Sequence, residues 1–176
     1  MRRHKTILVT GGARSGKSRY ALSLAAPFRK KTLIATLEPK DEEMKARIKK
    51  HKSQRGRDWL LIEEPLNLAK ALKRAFSKSD CVVVDCITLW LTNLLLAGKK
   101  EQAIIKELEQ LCGLVSDPPC LVAVVSNEVG LGIVPADALT RLFRDLQGAA
   151  NQMLAQAAQE MVMMVAGVPV RIKGRR

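Results

Sequence analysis

Eight consecutive residues, Gly11-Gly12-Ala13-Arg14-Ser15-Gly16-Lys17-Ser18, carry glycines, a lysine and a hydroxyl at the spacing of a phosphate-binding loop. Glycine lets the backbone wrap an anion closely and adopt dihedrals that other residues avoid. Successive amides then point at the phosphates, and the N-terminus of a following helix adds its positive end. In such a loop Lys17 reaches the β- and γ-phosphates, and Ser18 is a ligand for Mg²⁺. The chemistry also needs an acidic residue to orient the metal, at the end of a neighbouring strand. Asp85, closing Cys81-Val-Val-Val-Asp85, fits that role. Glu128 is a weaker candidate for the same task. The bland readings are a glycine-rich turn and an ordinary strand-end aspartate.

A second constellation lies in Asp41–Arg57, where Lys45, Arg47, Lys49, Lys50, Lys52, Arg55 and Arg57 crowd together around His51. Arg47 and His51 are four apart and share one face of a helix. Spacing alone makes His51 a packed or solvated histidine. Beside a bound triphosphate, its imidazole could instead attack the α-phosphorus, forming a phosphoramidate and releasing pyrophosphate. The attacking nitrogen must be neutral, and neighbouring cations favour that state.

The elements that must position these groups follow from periodicity. Strands are predicted at Lys5–Thr10, Lys31–Thr36, Trp59–Glu63, Cys81–Asp85 and Leu121–Ser126. Helices are predicted at Lys17–Ala26, from Asp41 to about Lys52, and at Leu66–Phe76, Thr88–Leu96 and Glu101–Leu114. Ala136–Gln159 reads as one long helix or a pair. Glu160–Val165 and Val168–Ile172 form a final hairpin or two short strands. Strands alternating with helices imply an α/β fold with a mostly parallel sheet. The valine-rich strands suit a sheet covered on both faces.

At 176 residues the chain is expected to form one domain, residues 1–176, with an aliphatic core, since aromatics are only 3%. No apolar run approaches the roughly 20 residues that span a bilayer. Only Ile7-Leu8-Val9 follows the basic start, too little for a signal peptide. A cytoplasmic protein without an integral membrane segment is expected. Cys81, Cys86, Cys112 and Cys120 show no metal-ligand spacing and read as small buried hydrophobes. The net charge of +13 attracts anions. Its terminal portions read as solvated ends.

Taken in order, the motifs resemble one family. Ile7–Arg19, Ile34-Ala-Thr36, Asp41-Glu-Glu-Met44, Arg47-Ile48-Lys-Lys-His51 and Glu63-Glu64-Pro65 are followed by Asp85-Cys-Ile-Thr-Leu89, Asn93-Leu94 and Asn127-Glu-Val-Gly-Leu-Gly-Ile-Val-Pro135. Phe143-Arg-Asp145, Gly148 and Asn151 complete the set. Together they are similar to the bifunctional adenosylcobinamide kinase / adenosylcobinamide-phosphate guanylyltransferases of cobalamin synthesis. That resemblance implies a RecA-like P-loop NTPase fold, a homotrimer and two reactions. ATP or GTP would phosphorylate adenosylcobinamide. GTP would then guanylylate His51, which passes GMP to adenosylcobinamide phosphate. The resemblance places Thr36, Leu37, Lys52, Ser53, Gln54, Arg55 and Glu63 on the guanine nucleotide.

Two other readings share the loop. One is a kinase for another small hydroxyl compound. The other is a RecA-like ATPase stimulated by nucleic acid, which the scarcity of aromatics for base stacking disfavours. No nucleic-acid partner is expected. The loop Asn127–Pro135 is either a plain turn or a segment that holds the corrinoid or closes over the nucleotide.

Overall fold

A computed structural model describes residues 4–37 and 59–174. The basic helix expected from Asp41, and with it His51, lies outside the described residues. The rest builds one seven-stranded sheet. Its strands are β1 (Lys5–Gly11), β2 (Lys31–Ala35), β3 (Trp59–Glu63), β4 (Cys81–Asp85), β5 (Leu121–Val125), β6 (Glu160–Val165) and β7 (Val168–Lys173). The described helices are α1 (Lys17–Leu24), α2 (Leu68–Phe76), α3 (Ile87–Leu96), α4 (Glu101–Ser116) and α5 (Ala138–Ala157).

The spatial order is β3-β2-β4-β5-β1-β6-β7. All neighbours are parallel except β6 and β7, which pair antiparallel. This is the α/β, RecA-like P-loop architecture expected from the sequence. The strand carrying Asp85 is separated from β1 by β5. Val125 lies opposite both Asp85 and Val9, so β4 and β5 end level and β1 runs two residues further, to Gly11.

Alternation along the strands builds two cores. Leu8, Ile34, Val82, Val84, Val122 and Val124 face α2, α3, α4 and α5. Ile7, Val9, Leu33, Val83, Ala123 and Val125 face the opposite side with Ala21 and Tyr20 of α1. Strands buried on both faces must be apolar at every position, which explains Leu-Val-Ala-Val-Val in β5. Helix α3 is apolar nearly all round because it is enclosed: Ile87, Trp90, Leu91 and Leu94 are all buried.

Where element ends differ from expectation, they do so by one or two residues, for local reasons. Helix α1 stops at Leu24, because Ala25 and Ala26 donate to Leu22 and Ser23 in tighter three-residue turns. Helix α5 is a single helix that begins at Ala138, where Asp137 caps it by accepting the Thr140 amide at 2.8 Å. Hydrogen bonds from Thr140 hold the Asp137 carboxyl below the usual carboxylate range. The C-terminal strands form a hairpin. Its turn holds Ala166 and Gly167 at φ 49° and 87°, the doubly left-handed geometry that matches strand twist.

The terminal charges are more than solvated ends. Lys5 pairs with Glu160. The Lys173 ammonium donates to the carbonyls of Ala155 and Ala158, each at 2.7 Å, where α5 runs out of intrahelical donors. Cys81, Cys86 and Cys120 are buried free thiols, and Cys112 is half-buried. Burial pushes the Cys81 thiol up to about 12, and those of Cys86 and Cys120 to about 11. They are inert packing groups, as their spacing implied.

Candidate functional site

The loop from Gly11 to Ser18 joins β1 to α1 at the carboxyl end of the sheet. Gly11 and Gly16 take φ 139° and 97°, and Arg14 sits at φ 57°. Each glycine has its own reason. A Cβ on Gly11 would lie 2.4 Å from the Met164 carbonyl oxygen and 2.8 Å from Ser15 Oγ, so β6 itself forbids a side chain there. A Cβ on Gly12 would meet no atom within 4 Å. Protein packing leaves that side of the loop open, as a phosphate cradle requires. Ser15 Oγ is buried and, among the described residues, has no hydrogen-bond partner, a polar atom turned into the loop.

Lys17 is only 6% exposed, and its ammonium donates to the Gly12 carbonyl at 2.6 Å. The charge is thus folded over the loop that it would serve. Ser18 follows in the first turn of α1 and is half-buried. The amides opening this helix have no intrahelical acceptor, so its N-terminus is suited to an anion.

Asp85 ends β4 two strands from β1. Its carbonyl accepts the Thr36 amide at 3.1 Å. The Thr36 hydroxyl donates to the Cys86 carbonyl at 2.7 Å and accepts the Cys86 amide at 2.9 Å. The Asn93 side-chain amide donates to the carbonyls of Thr36 and Pro65 at 2.7 and 3.2 Å. Thr36 is fully buried, so its hydroxyl fixes the backbone after Asp85 and does not open to solvent. Leu37 is half-buried beside it, and Glu63 stands exposed at the end of β3. Lys52, Ser53, Gln54 and Arg55 lie outside the described residues with His51.

A third group assembles where β5 ends. The Ser126 hydroxyl donates to Asn151 Oδ1 at 2.6 Å, and the Gln147 side-chain amide donates to both, at 2.8 and 3.0 Å. Asn151 Nδ2 donates to the Asn127 carbonyl at 3.0 Å and to Glu128 Oε2 at 3.3 Å. The Asn127 amide donates to Thr88 Oγ1 at 2.9 Å. Glu128 donates its own amide to the Gly11 carbonyl at 3.1 Å. The exposed Leu131, Ile133 and Val134 continue from it, and Val134 borders a surface groove with Arg144, Gly148 and Met153.

This ordered set is what the comparison with protein families reports: residues 7–172 match the family described as cobinamide kinase / cobinamide phosphate guanyltransferase. The chain belongs to that family. It is 41% identical to the bifunctional adenosylcobalamin biosynthesis protein CobU of Escherichia coli K12, covering 95% of this chain and 99% of that protein. It is 42% identical to the bifunctional adenosylcobalamin biosynthesis protein CobP of Pseudomonas aeruginosa, covering 95% and 96%. Among solved structures, a type III secretion ATPase aligns with a TM-score of 0.57 at 10% identity, covering 92% of this chain and 51% of that one. A Pyrococcus horikoshii protein, PH0250, aligns with the same score at 12% identity, covering 100% and 89%. At those identities the likeness is one of fold.

Within the cobinamide kinase / guanyltransferase fold, the predicted loop and Asp85 both lie at the carboxyl end of the sheet. The β6–β7 turn stands behind the loop, where the Gly167 amide donates to the Ser15 carbonyl at 3.0 Å, a contact that spacing alone does not reveal. The only trace of that contact was the Ala166-Gly167 pair between two apolar runs.

Proposed function

We propose that this protein phosphorylates adenosylcobinamide with a nucleoside triphosphate and then transfers GMP from GTP to adenosylcobinamide phosphate, giving adenosylcobinamide-GDP. The observation that carries this reading is the family match over residues 7–172, joined to an intact phosphate loop with Lys17 and Ser18 in place. GTP and ATP are the substrates that the loop would take.

The amides of Gly12, Ala13, Arg14, Ser15 and Gly16 and the N-terminus of α1 hold the triphosphate. Lys17 exchanges the Gly12 carbonyl for the β- and γ-phosphates. Ser18 and Asp85 offer hard oxygen donors, the donor set Mg²⁺ prefers while keeping most of its waters. Bound there, Mg²⁺ would neutralise charge on the β- and γ-phosphates. Asp85 is two strand spacings, about 10 Å, from β1. Glu63, four spacings or about 19 Å away, suits the nucleoside end of an extended nucleotide. Thr36 and Leu37 lie between them.

His51 is the nucleophile of the second reaction. Its nitrogen attacks the α-phosphorus of GTP, pyrophosphate leaves, and the GMP moves to the phosphate of the corrinoid. Lys52, Ser53, Gln54 and Arg55 surround that nucleotide. The corrinoid rests on the exposed Leu131, Ile133 and Val134 and the groove along α5. One domain carries both reactions. No described helix is long and apolar enough to cross a membrane. A cytoplasmic homotrimer is the assembly we infer from the family resemblance.

Incubation with α-labelled GTP and Mg²⁺ tests the reading. The protein should acquire acid-labile, base-stable label, and His51→Ala should acquire none while still binding GTP. Equal labelling of the variant would remove His51 from the mechanism.

A further inference from the structure

We propose that Glu128 is the general base of the kinase reaction, accepting the proton of the substrate hydroxyl as it attacks the γ-phosphorus. The proposal rests on the reading above, in which the acceptor is the alcohol of adenosylcobinamide, and it adds a residue to that reaction.

Position comes first. Four carboxylates stand at or just beyond the carboxyl ends of the described parallel strands: Glu63 and Glu64 after β3, Asp85 on β4, and Glu128 after β5. Of these strands, only β5 adjoins β1. At about 4.8 Å per strand, Glu128 is one spacing from the phosphate loop, Asp85 two and Glu63 four. The bond from the Glu128 amide to the Gly11 carbonyl makes the adjacency direct, because Gly11 is the first residue of that loop.

Orientation comes second. Oε1 accepts the Gly130 amide at 3.0 Å, and Oε2 accepts Asn151 Nδ2 at 3.3 Å. Asn151 is itself buried and held by Ser126 and Gln147. Thr88 fixes the backbone one residue earlier. The carboxylate is therefore mounted on a braced scaffold at a half-buried position. A carboxylate has about four acceptor sites, and these bonds fill two, which leaves room for a substrate O–H. Glu64, by contrast, spends one oxygen on the amides of Leu66 and Asn67. Asp85 is engaged with the metal in the reading above.

The step balances. As the substrate oxygen forms its bond to the γ-phosphorus, its proton moves to Glu128. The bond from the γ-phosphorus to the β–γ bridging oxygen breaks, and its electron pair leaves with the nucleoside diphosphate. Glu128 returns the proton to solvent. Asn151 is a positioning residue, acting through Glu128.

A structural role in pinning the Asn127–Pro135 loop makes a different prediction, and Glu128→Gln separates the two, because glutamine keeps the shape and one acceptor oxygen. The kinase kcat should fall about 100-fold or more, within the range of general-base removal. The acidic limb of its pH profile should vanish. Labelling of the protein from α-labelled GTP, and GMP transfer to supplied adenosylcobinamide phosphate, should stay within about threefold, since neither deprotonates that alcohol. Glu128→Asp should recover part of the kinase activity and the acidic limb. Kinase activity within threefold of wild type in Glu128→Gln would overturn the assignment, as would a parallel loss of all three activities. A wild-type protein that labels with GTP but never phosphorylates adenosylcobinamide would overturn the substrate reading and the base together.

Discussion

The Gly167 amide donates to the Ser15 carbonyl at 3.0 Å, so the turn of the C-terminal hairpin grips the phosphate loop from behind. Gly167 Cα also lies 3.5 Å from where a Cβ of Gly16 would stand, and the Arg19 guanidinium packs 3.6 Å from where one on Gly167 would. Gly167 needs its left-handed φ of 87° to present that amide. Gly167→Val should therefore cost about 1–2 kcal/mol of stability. Its triphosphate affinity should fall roughly tenfold, corresponding to about 1.4 kcal/mol at the loop. Calorimetric titration with GTP checks the second number, and unchanged affinity would mean the loop holds its shape without the hairpin.

Lys17 is already inside the loop, donating to Gly12. Lys17→Ala should remove triphosphate use from the kinase and guanylylation reactions alike. Full kinase activity in that variant would show that the two reactions do not share one phosphate site.

Asn93 ties the carbonyls of Thr36 and Pro65 together from the buried side of α3. Asn93→Ala should destabilise the fold by roughly 2–4 kcal/mol, since two carbonyls lose their donor. Urea unfolding measures it directly. A cost below about 0.5 kcal/mol would mean that water replaces the side chain.

Cys81 offers a pH test. Its thiol sits near 9.0 when unfolded and about 12 when folded, chiefly because burial disfavours the thiolate. The folded state thus holds the proton over a range where the unfolded state has lost it. This stabilisation is complete below pH 9 and fades as pH climbs toward 12. The urea midpoint should drop more between pH 8 and pH 10.5 in wild type than in Cys81→Ala. Equal drops would place the alkaline loss elsewhere.

Ile133 is 95% exposed, so its replacement should leave stability within about 0.5 kcal/mol. Ile133→Asp should nonetheless raise the KM for adenosylcobinamide phosphate about tenfold, because a charge would interrupt an apolar rest for the macrocycle. Labelling with GTP should not change. An unaltered KM would free this loop from corrinoid binding.

The legible parts of this molecule were those written in local pattern. The strands predicted at Cys81–Asp85 and Leu121–Ser126 announced themselves because both faces are covered, the second ending one residue earlier in the fold, and the loop at Gly11 because its glycines and lysine lie close together. What stayed hidden was tertiary. Thr36 is placed on the nucleotide by the family resemblance, but that its hydroxyl is spent on the Cys86 backbone is something no spacing reveals. Gly11 is predicted as a phosphate-loop glycine, and a second reason for it is invisible in the sequence: a side chain there would meet Met164 of β6. The adjacency of Glu128 to the loop was hidden as well, because only the sheet order shows which strand lies beside β1.

The dependence of the loop on Met164 and Gly167 sets a timetable for synthesis. Residues 11–18 leave the ribosome well before Ala166 and Gly167, the turn that braces them. While it is being made, the chain has a phosphate motif without a phosphate site. The loop has its rear wall only once β6 is paired with β1, because Met164 lies directly behind Gly11.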